Sequence, residues 1–203
     1  MKKTLSALVL LAMLVALPAL GNATPYSPTS SLIQSFGYIS ENPVTAGTKL
    51  FDVQALDNGA KFIGNIYPTT TGTWAEIRLG TTGAFDLSSY DSFMLQIGNF
   101  NENPWAYNLY LTGQTNGVDY YVQSAWSTIN NGGTGTLAFD FTGLNVDLSK
   151  VTGIGFNIGA IVPLPGQDYT FETIAAPVPE PGTIMLLGAG LVGVGLYIRR
   201  KRA

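Results

Sequence analysis

The stretch "FDLSSYDSFMLQI", residues 85–97, ends in an alternation that decides the fold. Phe93, Leu95 and Ile97 take every second position, and Ser92, Met94 and Gln96 fill the gaps. Successive side chains of a strand point to opposite faces, so a period of two marks a strand buried on one side. The pattern recurs outward along the chain. Tyr107, Leu109 and Leu111 alternate with Asn108 and Tyr110, and Val118, Tyr120 and Val122 with Asp119, Tyr121 and Gln123. Leu137, Phe139 and Phe141 alternate with Thr136, Ala138 and Asp140, and Ile154, Phe156 and Ile158 with Gly153, Gly155 and Asn157. Turn chemistry separates these runs: Asp57-Asn58-Gly59, Thr70-Thr71-Gly72, Asn101-Glu102-Asn103-Pro104, Asn116-Gly117 and Asn130-Asn131-Gly132-Gly133. Further strands are expected near 32–39, 48–56, 61–67, 73–80 and 168–174. No helix-period run and no internal repeat interrupts the series. About ten strands at hairpin spacing predict an all-β protein, an antiparallel β-sandwich of jelly-roll type over residues 24–176.

Composition narrows the chemistry. The 203 residues contain no Cys and no His. Disulfides, Cys–His and Ser–His nucleophile pairs and the commonest metal ligand are thereby excluded. Six of the ten basic residues sit at the two ends: Lys2, Lys3, Arg199, Arg200, Lys201 and Arg202. Residues 24–176 hold four basic and twelve acidic residues, a formal charge of −8. Such a surface repels nucleic acid and anionic lipid, and suits neutral polymers or cations.

The ends are targeting segments. Lys2 and Lys3, an apolar run over 5–20 and the small residues Gly21-Asn22-Ala23 predict a secretory signal peptide over 1–23, cleaved by signal peptidase after Ala23. At the other end, residues 182–198 carry no charge and Arg199, Arg200, Lys201 and Arg202 follow. Seventeen residues of helix measure ~25 Å, slightly short of a ~30 Å hydrocarbon core, and Tyr197 with the basic cluster would anchor the cytoplasmic side. Gly188-Ala189-Gly190-Leu191-Val192-Gly193 fits the G-x-G-x-x-G dinucleotide fingerprint. No strand precedes it and too few residues follow it for a βαβ unit, so that reading fails on context. A short linker is expected over 175–181.

Val178-Pro179-Glu180-Pro181-Gly182, then a short Gly-rich apolar segment, then Arg-Arg-Lys-Arg, resembles the PEP-CTERM sorting signal. The resemblance implies a tail spanning 177–203, with Pro179, Glu180 and Pro181 as the recognition element. It implies transient membrane anchoring, processing by an exosortase in the inner membrane, and delivery to the cell surface, outer membrane or exterior, in cells that make exopolysaccharide. The two prolines keep the motif extended and out of the following helix, where a processing enzyme can grip it. In the body, residues 85–93 and the later run 147–156 are similar to elements of galactose-binding-like sandwiches found among carbohydrate-binding modules. That likeness places Glu172 where such domains often carry an acid.

Sugar recognition needs aromatic faces with amide or carboxylate edges. Strand parity puts Tyr110 and Tyr121 on polar faces and therefore exposed, and Tyr107, Tyr120 and Trp126 in the core. Trp105, beside Pro104, is the leading glycan-binding candidate, followed by Tyr110, Tyr121 and Trp74, with Asn103, Asn108, Asp119 and Gln123 as polar partners. The metal the residues suit best is calcium, through Asp57 with its turn, or Glu41 or Asp52 paired with Glu172. No cofactor and no catalytic residues are expected, because no carboxylate pair can be assembled from the sequence. The expected function is that of an exported, non-catalytic surface or matrix protein associating with polysaccharide. A lectin-like carbohydrate-binding module is the alternative, and a secreted glycan-active enzyme a third reading.

Overall fold

The computed structural model describes residues 24–42, 51–66, 74–161 and 169–179. The expected signal peptide at 1–23, the apolar segment at 182–198, the basic residues at 199–202, and Glu180 and Pro181 lie outside the described residues, as does the turn Thr70-Thr71-Gly72. Twelve strands form two sheets among the described residues. In chain order they are β1 (Pro25–Tyr26), β2 (Gly37–Asn42), β3 (Phe51–Leu56), β4 (Gly59–Ile66), β5 (Trp74–Phe85), β6 (Ser92–Asn99), β7 (Trp105–Thr115), β8 (Val118–Gln123), β9 (Ser127–Ile129), β10 (Thr134–Asp140), β11 (Val151–Ile161) and β12 (Tyr169–Ala176).

The first sheet runs β10-β6-β12-β4-β3, and β1 lies beside the start of β6 in line with the end of β12. The second runs β2-β5-β11-β7-β8, with β9 continuing the β8 edge of β7. All pairs are antiparallel except β1 with β6. The alternating residues supply the shared core: Phe93, Leu95 and Ile97 from β6 meet Leu109, Leu111, Ile154, Phe156 and Ile158 of the other sheet. The predicted antiparallel jelly-roll sandwich is therefore the observed architecture.

Three local expectations are corrected. A strand near 32–39 begins only at Gly37, because Ser30–Gln34 form a short helix, α1. Thr29 caps it by accepting from Leu32 N, and Ile33 is driven into the core. Val118, at an apolar position of β8, is 69% exposed because β8 is a sheet edge there. Tyr120 and Trp126, expected in the core, are only half-buried. Below β12 the chain is pinned: Val178 N donates to Ser27 Oγ at 2.8 Å, joining residues 177–179 to the segment after β1.

Candidate functional site

The outer face of the second sheet carries an ordered stripe of aromatic and polar side chains. Its floor is glycine. Gly153, Gly155 and Gly159 of β11 all point outward, alternating with the core residues Ile154, Phe156 and Ile158. Each leaves room for a neighbouring side chain. A Cβ on Gly159 would run into the Trp74 indole; one on Gly155 would meet the backbone of β5 and the Tyr110 ring at 2.9 Å; one on Gly80 would strike the Tyr110 hydroxyl. The rings of Trp74 and Tyr110 thus lie flat across β11. They are four residues apart along the strand, about 13 Å.

Tyr110 is covered from above. Tyr121 packs over it at 5.6 Å between centroids, and the Arg78 guanidinium sits 4.0 Å from the Tyr121 ring centre and 5.2 Å from that of Tyr110. The parity reading chose the correct face for Tyr110 but the wrong exposure: it is 2% exposed, whereas Tyr121 is 38% exposed. The sequence shows the polar parity; it does not show that two glycines let the phenol sink. Burial raises the Tyr110 hydroxyl well above the usual tyrosine value, and Arg78 opposes that shift.

The polar groups around these rings hold one another. Asn157 donates to Asn108 Oδ1 at 2.7 Å and to the Tyr121 hydroxyl at 2.8 Å, and accepts from Arg78 Nε at 3.3 Å. The Tyr121 hydroxyl donates onward to Gln123 at 2.9 Å. Trp74 Nε1 donates to Glu76 at 3.1 Å, and Trp74 meets Trp126 edge-to-face at 4.7 Å. Asn108 and Asn157 are fully buried. A buried amide network with its partners in place is rigid, so the exposed edges of Trp74, Tyr121 and Gln123 stand on a fixed base.

Trp105 is elsewhere. It begins β7 on the core side, 5% exposed, and packs edge-to-face on Phe171 at 6.4 Å. The exposure expected from its place beside Pro104 is corrected, since the strand starts at Trp105 itself and turns the indole inward. It lines a cavity of about 440 Å³ with Phe100, Glu102, Asn103, Tyr169 and Glu172. Phe100, which the sequence reading passed over, is 48% exposed there. It falls just beyond an alternating run, and that position is the one signal that could have singled it out.

The calcium candidates do not converge. Among the described residues no three acidic groups gather. Asp57 is exposed in the β3–β4 turn, and Asp52 accepts from Gln54 at 3.1 Å. Asp52 and Glu172 share the outer face of the first sheet but flank Ile63 from opposite sides, two strands or about 10 Å apart. Glu172 is engaged by Lys61 at 2.7 Å. The side chain of Glu41 lies outside the described residues.

Fold and face together define an all-β sandwich with a pre-set aromatic surface. Residues 177–202 match the PEP-CTERM protein-sorting motif, so the chain carries that signal directly after β12. No curated protein sequence matches the chain. Among solved structures it is similar to an exo-beta-agarase (11% identity, TM-score 0.44, covering 78% of this chain and 26% of that one). It is likewise similar to a family 11 carbohydrate-binding module from Clostridium thermocellum bound to a beta-1,3-1,4-mixed-linked tetrasaccharide (10%, 0.42, 71% and 89%). A third is a CBM28 carbohydrate-binding module specific for non-crystalline cellulose (15%, 0.44, 79% and 94%). The chain spans about a quarter of the length of the agarases it matches. The motif implies exosortase processing, export and sorting to the cell surface.

Proposed function

We propose that this chain is a non-catalytic surface or matrix protein that holds a polysaccharide strand along the outer face of its second sheet. The observation that carries the reading is the stripe from Trp74 and Trp126 to Tyr121. It offers exposed rings for stacking, with Glu76, Arg78 and Gln123 at their edges for hydroxyl groups. The network beneath is already satisfied, so binding costs little side-chain ordering. The domain boundaries that fit this reading are a signal peptide over 1–23, the sandwich over 24–176 and the sorting tail over 177–203. Signal peptidase and an exosortase would process the chain, and exopolysaccharide would be its partner outside the cell.

Two measurements test it. In affinity electrophoresis through neutral polysaccharides, the full-length chain in detergent is retarded, and Trp74→Ala or Tyr121→Ala reduces the apparent affinity at least tenfold. Equal mobility with and without polysaccharide overturns the binding reading, and release of reducing ends overturns the non-catalytic one. Mass spectrometry of the protein from cells holding an exosortase finds no peptide reaching Ala203; recovery of that peptide overturns the processing.

A further inference from the structure

We propose that the cavity beneath the 99–105 loop, which crosses from the first sheet to the second, is a second saccharide site, taking one neutral sugar unit, and that the chain is therefore a bridge between polysaccharide strands. The inference rests on the polysaccharide-binding reading and deepens it. The cavity's volume, about 440 Å³, lies in the range of small-ligand sites. A single exposed phenylalanine is ordinary on a protein surface, so Phe100 alone carries nothing. What sets it apart is its mounting. Its backbone N donates to Glu172 O at 3.0 Å, and its ring lies over Gly98, where a Cβ would crowd it at 2.9 Å.

The loop that presents it is built around two buried amides. Asn99, fully buried, donates to Asn103 O at 3.0 Å and Ile129 O at 2.8 Å, and its Oδ1 accepts from Asn101 N at 3.0 Å and Asn101 Nδ2 at 2.6 Å. Asn101, 8% exposed, accepts in turn from Glu172 N at 2.5 Å. These bonds fix a surface turn to β9 and β12 and leave Phe100, Glu102 and Asn103 outside. Glu102 and Asn103 are exposed, and their side chains make no hydrogen bond or ion pair among the described residues. A flat ring beside a free carboxylate and a free amide matches a sugar ring, which has an apolar face and hydroxyl edges. Glu172 is balanced by Lys61, so the unpaired Glu102 sets a net negative charge that disfavours uronate or sulfate groups and favours a neutral sugar. The cavity opens at the 99–105 end of the sandwich, with the Phe100 ring over Gly98 on the outer side of the first sheet and Trp105 at its inner wall, whereas the stripe runs along the outer side of the second, so one strand cannot lie along both.

Isothermal titration of the full-length chain in detergent with cellohexaose and with xylohexaose tests the proposal. The expected result is two sites per chain for at least one of them. Phe100→Ala and, separately, Glu102→Gln each leave one site, as does Tyr121→Ala, and the double change Phe100→Ala with Tyr121→Ala leaves none. Phe100 and Glu102 are exposed, so unchanged thermal unfolding of these variants confirms that they fold. One site, lost with Tyr121→Ala and indifferent to Phe100→Ala, overturns the bridge while the polysaccharide reading stands. Two sites that both survive Phe100→Ala also overturn it. No binding of either probe overturns both readings.

Discussion

The phenol of Tyr110 lies flat because the residues beneath it, Gly80 and Gly155, have no Cβ. Its neighbours Arg78 and Tyr121 then close over it, and a cation over a desolvated ring contributes up to about 2 kcal/mol. Gly155→Ala would press a methyl against the Leu79 carbonyl and the Tyr110 ring. The backbone cannot yield cheaply there, so the expected cost is about 2–3 kcal/mol, read as a Tm lowered on the order of 5–10 °C. An unchanged Tm would show that the plate is not packed as described. At this scale the sequence was partly legible. Parity assigned Tyr110 and Tyr121 to the polar faces of their strands and Tyr107 to the core, because parity is a local property. Whether a ring on a face is exposed depends on residues two strands away, and no local pattern holds that information. Trp105 shows the same limit from the other side: a neighbouring proline suggested a loop edge, and strand pairing with β9 decided otherwise.

Three aspartates recur at the joints between elements. Asp86 Oδ1 accepts from Ser88 N and Oγ at 3.0 and 2.6 Å, and Asp147 Oδ1 from Ser149 N and Oγ at 3.1 and 2.6 Å. Asp140 Oδ1 accepts from Thr142 N at 2.7 Å. Each carboxyl is held below its usual value, first by the side-chain hydroxyl of Ser88, Thr142 or Ser149. A lowered native value means that the stabilisation is complete above the ordinary aspartate range. It is lost as pH falls through the lowered values. Urea midpoints should therefore stay level from neutral down to about pH 5 and decline below it. The triple variant Asp86→Asn, Asp140→Asn and Asp147→Asn should show a shallower acid decline; an identical slope would sink the assignment. Hairpin chemistry was equally legible: Asn116-Gly117 joins β7 to β8 with both residues at positive φ, 54° and 78°. Elements of two or three residues were not, because β1 and β9 exist by pairing with β6 and β7 and carry too little pattern of their own. Helix α1 likewise depends on one cap, Thr29, and on a core vacancy for Ile33.

Both sheets contribute to one contiguous core, from Ile33 in α1 to Ala175 in β12. Calorimetry should therefore give a single transition with equal van't Hoff and calorimetric enthalpies. Two resolved transitions would mean that the sheets melt apart. The sandwich as a class was readable because period-two runs and turn residues are local. Strand order, with β1 and β12 sharing one flank of β6, was not.

The course of β12 sets an orientation for the whole particle. The strand enters beside the Phe100 cavity at Tyr169 and leaves at Ala176, eight residues or about 25 Å further on. There Val178 is fastened to Ser27, so the exit of β12 is tied to the segment after β1 in the same sheet at that pole. Anything joined to Pro179 pulls from the pole opposite the cavity. A chain still tethered through its sorting tail would stand upright, with its far tip reaching outward and its two broad sides clear of the surface that holds it.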